Sequence, residues 1–170
     1  VRYGVDVVTA YMGHVQDNAE ESVRRVIDRL SDGEFTYPMD IGQTIQVTVS
    51  VDKYTRTATV DFSGTSDQHT GNYNAPFAVC RAVVLYVFRT LVGSAIPLNQ
   101  GCLKPLHIIA PERTMLNPAY PAALIAGNTD VSQAPCNALY AAVGDRACSR
   151  TPLNNFVLRL SRVTHKQAVS

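Results

Sequence analysis

Apolar residues in the first part of the chain recur at helical steps. Val8, Met12, Val15, Ala19, Val23, Val26, Ile27 and Leu30 fall three or four apart, which predicts a helix with that face packed inward. Glu20–Arg24 and Glu21–Arg25 stand four apart with the acid first, the favoured order on an exposed face. Ser31-Asp32-Gly33 is predicted to end the helix, with Gly33 in the left-handed conformation. The period then changes to two. Ile45, Val47, Val49 and Val51 alternate with Gln46, Thr48 and Ser50, a strand pattern. Asp52-Lys53 is the predicted turn and Tyr54 to Phe62 the returning strand. Glu34 to Met39 reads as a third strand that Pro38 confines to a sheet edge.

Beyond Phe62 the alternation gives way to a long polar loop, Asp61 to Pro76, and then to the apolar stretch Phe77 to Val92, whose charges are Arg81 and Arg89. A helix apolar on nearly all sides belongs inside a larger body. Asn74 is placed as its N-cap and Pro76 in its first turn. Gly93 to Gly101 reads as a loop, Leu106 to Ala110 and Ala122 to Ala126 as short strands, and Val131 to Cys148 as a further helix with Pro135 in its first turn. The expected class is α+β, short hairpin and sheet elements packed with about three helices.

Composition narrows the function classes. Among 170 residues, 15 basic against 14 acidic side chains leave a net charge of +1, so no basic field exists for nucleic acid or an anionic membrane. Charged residues make up 17% against roughly 25% in an average soluble domain. That low share suggests surface covered by something outside the chain. The longest apolar run, Ala82 to Phe88, is far below the ~20 residues that span a bilayer. Cys80, Cys102, Cys136 and Cys148 form no CxxC pair, which favours a reducing, cytoplasmic setting with free thiols. A chain opening on Val1 without a signal-like apolar core also reads as cut from something longer.

The richest chemistry lies between Asp61 and Asn74. Asp61, Ser63, Gly64, Thr65, Ser66, Asp67, Gln68, Asn72 and Asn74 gather carboxylates, hydroxyls and amides within one loop. Gly64 and Gly71 would let consecutive N–H groups turn toward an anion. The same residues serve equally as turn and helix caps. Asn99 and Asn128 end apolar segments, where an amide either orients a polar ligand or caps a turn. His14, His69, His107 and His165 share no HExxH arrangement, so no metal site is assigned to this chain. No Gly-x-Ser-x-Gly elbow occurs, nor a nucleotide-binding glycine loop.

Several of these segments carry a family resemblance. Val60-Asp61-Phe62-Ser63-Gly64-Thr65-Ser66, Gly71-Asn72-Tyr73-Asn74-Ala75-Pro76, Ile96-Pro97-Leu98-Asn99-Gln100-Gly101-Cys102-Leu103-Lys104-Pro105-Leu106 and Tyr120-Pro121-Ala122-Ala123-Leu124-Ile125-Ala126-Gly127-Asn128 resemble the hydantoinase B/5-oxoprolinase family. Tyr11 to Arg25 is similar to the large single-chain 5-oxoprolinases in particular. The resemblance runs to about residue 156, giving a partial hydantoinase B-like domain over 1–156 and a divergent tail over 157–170. Ser149 to Phe156 departs from the family's glycine-rich Gly-Thr-Met-Asn-Asn-Phe stretch.

The resemblance implies a part of a larger, oligomeric ATP-dependent enzyme that opens a cyclic amide such as 5-oxo-L-proline. A hydantoinase A-like subunit or domain would bind ATP, and this part would contribute to hydrolysis. A divalent metal is implied for the complete enzyme, through an Asp/His cluster outside this chain, so neither ATP nor metal is expected to bind here. Asp61 is the catalytic candidate on this reading. Ser63, Gly64, Thr65, Gln68, Asn72, Asn99 and Asn128 are the substrate-binding candidates. Two other readings stand beside it: a subunit of an ATP-dependent ketone carboxylase, and a non-catalytic module that binds a partner through Phe77 to Val92.

Overall fold

The computed structural model describes residues 3–144. Its elements run α1 (Val5–Ile27), β1 (Gly33–Pro38), β2 (Thr44–Asp52), β3 (Thr57–Asp61), α2 (Phe77–Leu91), a 3-10 turn (Gln100–Leu103), β4 (Leu106–Ile109), a π-helical turn (Gly127–Val131) and α3 (Gln133–Ala142). The architecture is α+β, as the patterning predicts. The strands form one sheet in the order β1-β2-β3-β4. The first three are antiparallel, and β4 runs parallel to β3. A parallel neighbour requires a long crossover, and Phe62 to Pro105, containing α2, supplies it.

One face of the sheet builds the core. Ile45, Val47, Val49, Ala58 and Val60 are buried with Val84, Val87 and Phe88 of α2 and Ala138 and Leu139 of α3. Helix α3 lies across β1 and β2 and packs against α2. Gly33 pairs with Val49 inside β1 rather than ending α1. Its role is close approach, since a Cβ there would stand 1.9 Å from the Ala142 carbonyl oxygen. Strand β1 is an edge strand, as Pro38 requires.

The turn between β2 and β3 is longer than the sequence suggests. Asp52 pairs with Thr57, leaving four residues that include Arg56 in the left-handed region at φ 56°. These residues clamp α1. Arg24 Nη1 donates to the Thr55 and Arg56 carbonyls at 2.8 and 2.9 Å, and Arg56 pairs with Glu21 and Asp28. Lys53 Nζ donates to the carbonyls of Ile27, Asp28 and Leu30. A cation on these last carbonyls ends the helix at Ile27, short of the predicted Leu30.

Both predicted ion pairs form, Arg24–Glu20 at 2.7 Å and Arg25–Glu21 at 3.2 Å. The Arg24 guanidinium, with Lys104 beside it, holds the Glu20 carboxyl below its ordinary value. Arg56 and then Arg25 do the same for Glu21. A carboxyl with a depressed folded-state pKa contributes stability that is present above its unfolded value and lost as pH falls through the folded one. The urea midpoint is therefore expected to fall as pH drops below about 4.5, and Glu20→Gln should flatten that slope. An equally steep slope in the variant would remove Glu20 from the account.

Two further expectations change. Helix α2 is not enclosed on all sides, because Ala78, Arg81, Ala82 and Tyr86 are exposed. The first half of α1 stands away from the body. Val5, Val7, Val8, Tyr11, Met12 and Val15 are exposed, and burial begins at Ala19. Cys80, Cys102 and Cys136 are free and buried, and burial pushes the Cys80 thiol up to about 12, far from nucleophile range. Cys148, His165, the Ser149–Phe156 segment and the 157–170 tail lie outside the described residues.

Candidate functional site

Strand β3 ends at Asp61, beside Ile109 of β4, and delivers the polar loop to this end of the parallel pair. The first turn of the loop is organised by Asp61 itself. Its Oδ1 accepts from the Ser63 N–H at 2.8 Å and the Ser63 hydroxyl at 2.5 Å. The carboxylate is thereby oriented, half-buried, with Ser63 and Gly64 exposed next to it. Such an oxygen pair can position a water or accept a proton.

The remainder of the loop turns inward. The Ser66 N–H donates to the Thr44 carbonyl, Gln68 to Arg113 and Ala75 to Met115. Ser63 N–H is held by Asp61, Thr65 by the Phe62 carbonyl, His69 by Asn74 and Gly71 by His69 Nδ1. These amides are engaged inside the protein, so they do not form the anion cradle that Gly64 and Gly71 would permit. Buried N–H groups must find acceptors, and these find them within the loop itself, on Thr44, and on Arg113 and Met115 of the segment packed against it. Thr65 is buried, its hydroxyl bonded to the Gln46 backbone. Gln68 Oε1 accepts from the Ala119 N–H at 2.9 Å. Both are brackets of the loop.

Asn74, predicted as a helix cap, is fully buried and does something else. Its Oδ1 accepts from the His69 N–H at 2.7 Å, and its Nδ2 donates to the carbonyls of His69, Gly71 and Ala123 at 3.0, 3.1 and 2.9 Å. Pro76 stands at the cap position of α2 instead. The Ala123 contact explains why Ala122 to Ala126 is no strand: the segment crosses the polar loop, and the Ala126 N–H bonds the Asn72 carbonyl at 3.1 Å. The chain then enters the π-helical turn at Gly127, where a Cβ would lie 2.6 Å from the Asn74 carbonyl oxygen. Asn74 and Gly127 lock this corner, a role that no local pattern around either residue signals.

The predicted site residues fall into three places. Asp61, Ser63, Gly64, Thr65 and Gln68 share the loop at the end of β3, and Asn72 is exposed further along it. Asn128 lies on the π-helical turn and lines a cleft of about 420 Å³ between α2 and α3, with Val83, Tyr86, Gln133 and Cys136. An apolar floor with an amide rim suits a small neutral ligand. Asn99 lines a different groove, against the first half of α1. There its Oδ1 caps the 3-10 turn through the Gly101 N–H at 2.8 Å. Among the described residues no three His, Cys, Asp or Glu side chains converge on a metal position. No helix among them is long and apolar enough to cross a membrane.

Comparison with known proteins places this geometry. 5-Oxoprolinase 1 of Arabidopsis thaliana is 38% identical over 171 residues, covering 91% of this chain and 13% of the relative. A 5-oxoprolinase of Dictyostelium discoideum is 36% identical over 162 residues, covering 90% of this chain and again 13% of the relative. The 5-oxoprolinase of Saccharomyces cerevisiae is 35% identical over 160 residues, 91% of this chain and 12% of the relative. The chain thus spans about an eighth of the 5-oxoprolinases it matches. Among solved structures, the ATP-dependent caprolactamase of Pseudomonas jessenii superposes at a TM-score of 0.64 with 21% identity, over 85% of this chain and 27% of that one. Nucleotide-free acetone carboxylase does so at 0.60 with 14% identity, over 76% and 20%. At those identities the two structures report the fold alone. The family model for hydantoinase B/oxoprolinase matches residues 1–169, and by that match and these relatives the chain belongs to the hydantoinase B/oxoprolinase family.

Proposed function

We propose that this chain forms part of the hydrolytic half of an ATP-dependent amidohydrolase that opens a cyclic amide, 5-oxo-L-proline or a hydantoin. The observation that carries the reading is the Asp61–Ser63 pair, an oriented carboxylate at an open strand end within a family-matched segment. A lactam carbonyl is a poor electrophile, and ATP, handled by a hydantoinase A-like subunit or domain, supplies its activation. Asp61 then orients the attacking water or takes its proton. Ser63, Gly64 and Asn72 are exposed on the loop, Thr65 and Gln68 hold it in place, and Asn128, in the separate α2–α3 cleft, would contact a ligand only as a second subsite. Asn99 acts as a positioning residue through the 3-10 turn. The chain by itself is expected to be inert toward 5-oxoproline.

Asp61→Asn in the complete enzyme is the test. Loss of the carboxylate should lower glutamate formation by about 100-fold or more, the scale of a general base, while ADP formation persists. Wild-type yields of both products would remove Asp61 from the mechanism. Bicarbonate-dependent turnover of a ketone would replace the amidohydrolase reading with a carboxylase.

A further inference from the structure

His69 is the imidazole of the polar loop, and the Asp61 reading leaves it unused. The residue is half-buried, and its Nδ1 lies 2.9 Å from the Gly71 nitrogen. A backbone N–H can only donate, so Nδ1 is the acceptor and carries no proton. In the neutral ring the proton therefore sits on Nε2. The surroundings hold the ring in that place. The His69 N–H and carbonyl are both bonded to the buried Asn74 amide, at 2.7 and 3.0 Å. Tyr73 meets the imidazole edge-on, with ring centroids 5.6 Å apart. Position 71 is tight against the same ring, since a Cβ there would stand 3.0 Å from His69 Cε1 and 3.1 Å from Nδ1. Glycine is what lets its own N–H reach the imidazole.

We propose that His69 is a positioning residue for the polar loop, a latch closed in its neutral Nε2–H form and released when Nδ1 takes a proton from solvent. An imidazolium has two donors and no acceptor. Its Nδ1–H would face the Gly71 N–H donor to donor, so the bond between residues 69 and 71 is lost. The titratable groups on the segments around the ring are Asp67 and Tyr73 of the loop and Arg113, whose carbonyl holds the Gln68 N–H. Ala122 to Ala126 brings none. Among the described residues no carboxylate pairs with the ring, so no acceptor waits for the new N–H. Release bears on the next residue along. Asn72 is exposed, and its carbonyl accepts the Ala126 N–H at 3.1 Å, the bond by which segment 122–126 crosses the loop. The latch therefore governs where Asn72 stands and how the loop meets the corner at Gly127. It holds whatever the role of Asp61.

The test follows one proton and one amide in this chain. Long-range nitrogen–proton NMR of the unsubstituted chain, with its rings neutral, should give the Nε2–H pattern for His69. Hydrogen exchange at the Gly71 amide, corrected for the intrinsic rate at each pH, is then followed as the His69 ring signals move to the protonated form. Protection should fall by about 10-fold, the scale of one hydrogen bond. His69→Asn keeps an acceptor at the Nδ1 position without a titrating ring, so Gly71 should stay protected through the same pH range. His69→Ala should leave it weakly protected throughout. An Nδ1–H pattern in the unsubstituted chain overturns the proposal without any substitution. Gly71 protection that survives ring protonation overturns it too. So does an equal loss in His69→Asn, which would assign the pH response to another group such as Asp67.

Discussion

Asn74→Ala is expected to lower the unfolding free energy by about 3–5 kcal/mol, from loss of the side-chain hydrogen bonds and exposure of their partners to an unsatisfied state. The side chain has 0% exposure and four backbone partners, three on His69 and Gly71 and one on Ala123, 49 residues further along the chain from Asn74. Alanine leaves the His69 N–H and three carbonyls without their partner in a site closed to solvent. Asn74→Asp is the sharper variant. It keeps the shape and the acceptor for His69 but turns a carboxylate oxygen toward the carbonyls of His69, Gly71 and Ala123. Its loss should equal or exceed that of alanine at neutral pH and shrink in acid, where a protonated carboxyl regains one donor. Urea unfolding at pH 7 and pH 4 reads both. An Asn74→Ala midpoint equal to wild type would mean that the loop is held elsewhere.

Gly127→Ala should cost about 3 kcal/mol, the scale of a forced backbone shift in a packed region. The added methyl would stand 2.6 Å from the Asn74 carbonyl oxygen and 2.9 Å from the Ala75 Cα. Both are backbone atoms, so no rotamer change relieves the clash. The contrast is Gly64→Ala, whose Cβ would meet the Gln46 side-chain oxygen at 2.0 Å, the end of a flexible side chain that can shift at the cost of its bond to Glu34. Because Asn74 and Gly127 act on one seam, their substitutions should combine less than additively. Full additivity in the double variant would separate the two sites.

Most of the elements were legible because their periods are local. The α1 spacing, the Thr44–Val51 alternation, the β1 edge strand and Pro135 early in a helix each record which neighbours a residue meets within its own element. The errors have a common origin. Ala122 to Ala126 has the composition of a short strand, yet its backbone bonds go to Asn74 and Asn72 rather than to a neighbouring strand. Asn74 has the position of a cap, yet a buried amide with four partners in reach is better satisfied by all of them than by one helix terminus. Gly33 suits a helix terminus, but its place was decided by the carbonyl of Ala142, more than a hundred positions away.

The candidate site divides in the same way. That Asp61 and Ser63 meet was readable from adjacency, because an Asp reaches the backbone and side chain two residues on without help from the fold. Whether the loop's N–H groups would face a ligand or the protein was not, because that depends on which distant segment lies against them. Asn99 and Asn128 looked equivalent in sequence and occupy separate grooves. Local pattern was enough to give the helices, the hairpin and the family motifs. The tertiary structure alone decided that Asn74 and Gly127 lock a corner and that the apolar half of α1 is left bare. The reason is physical: periodicity states that a face wants a partner, and only packing determines whether that partner is present.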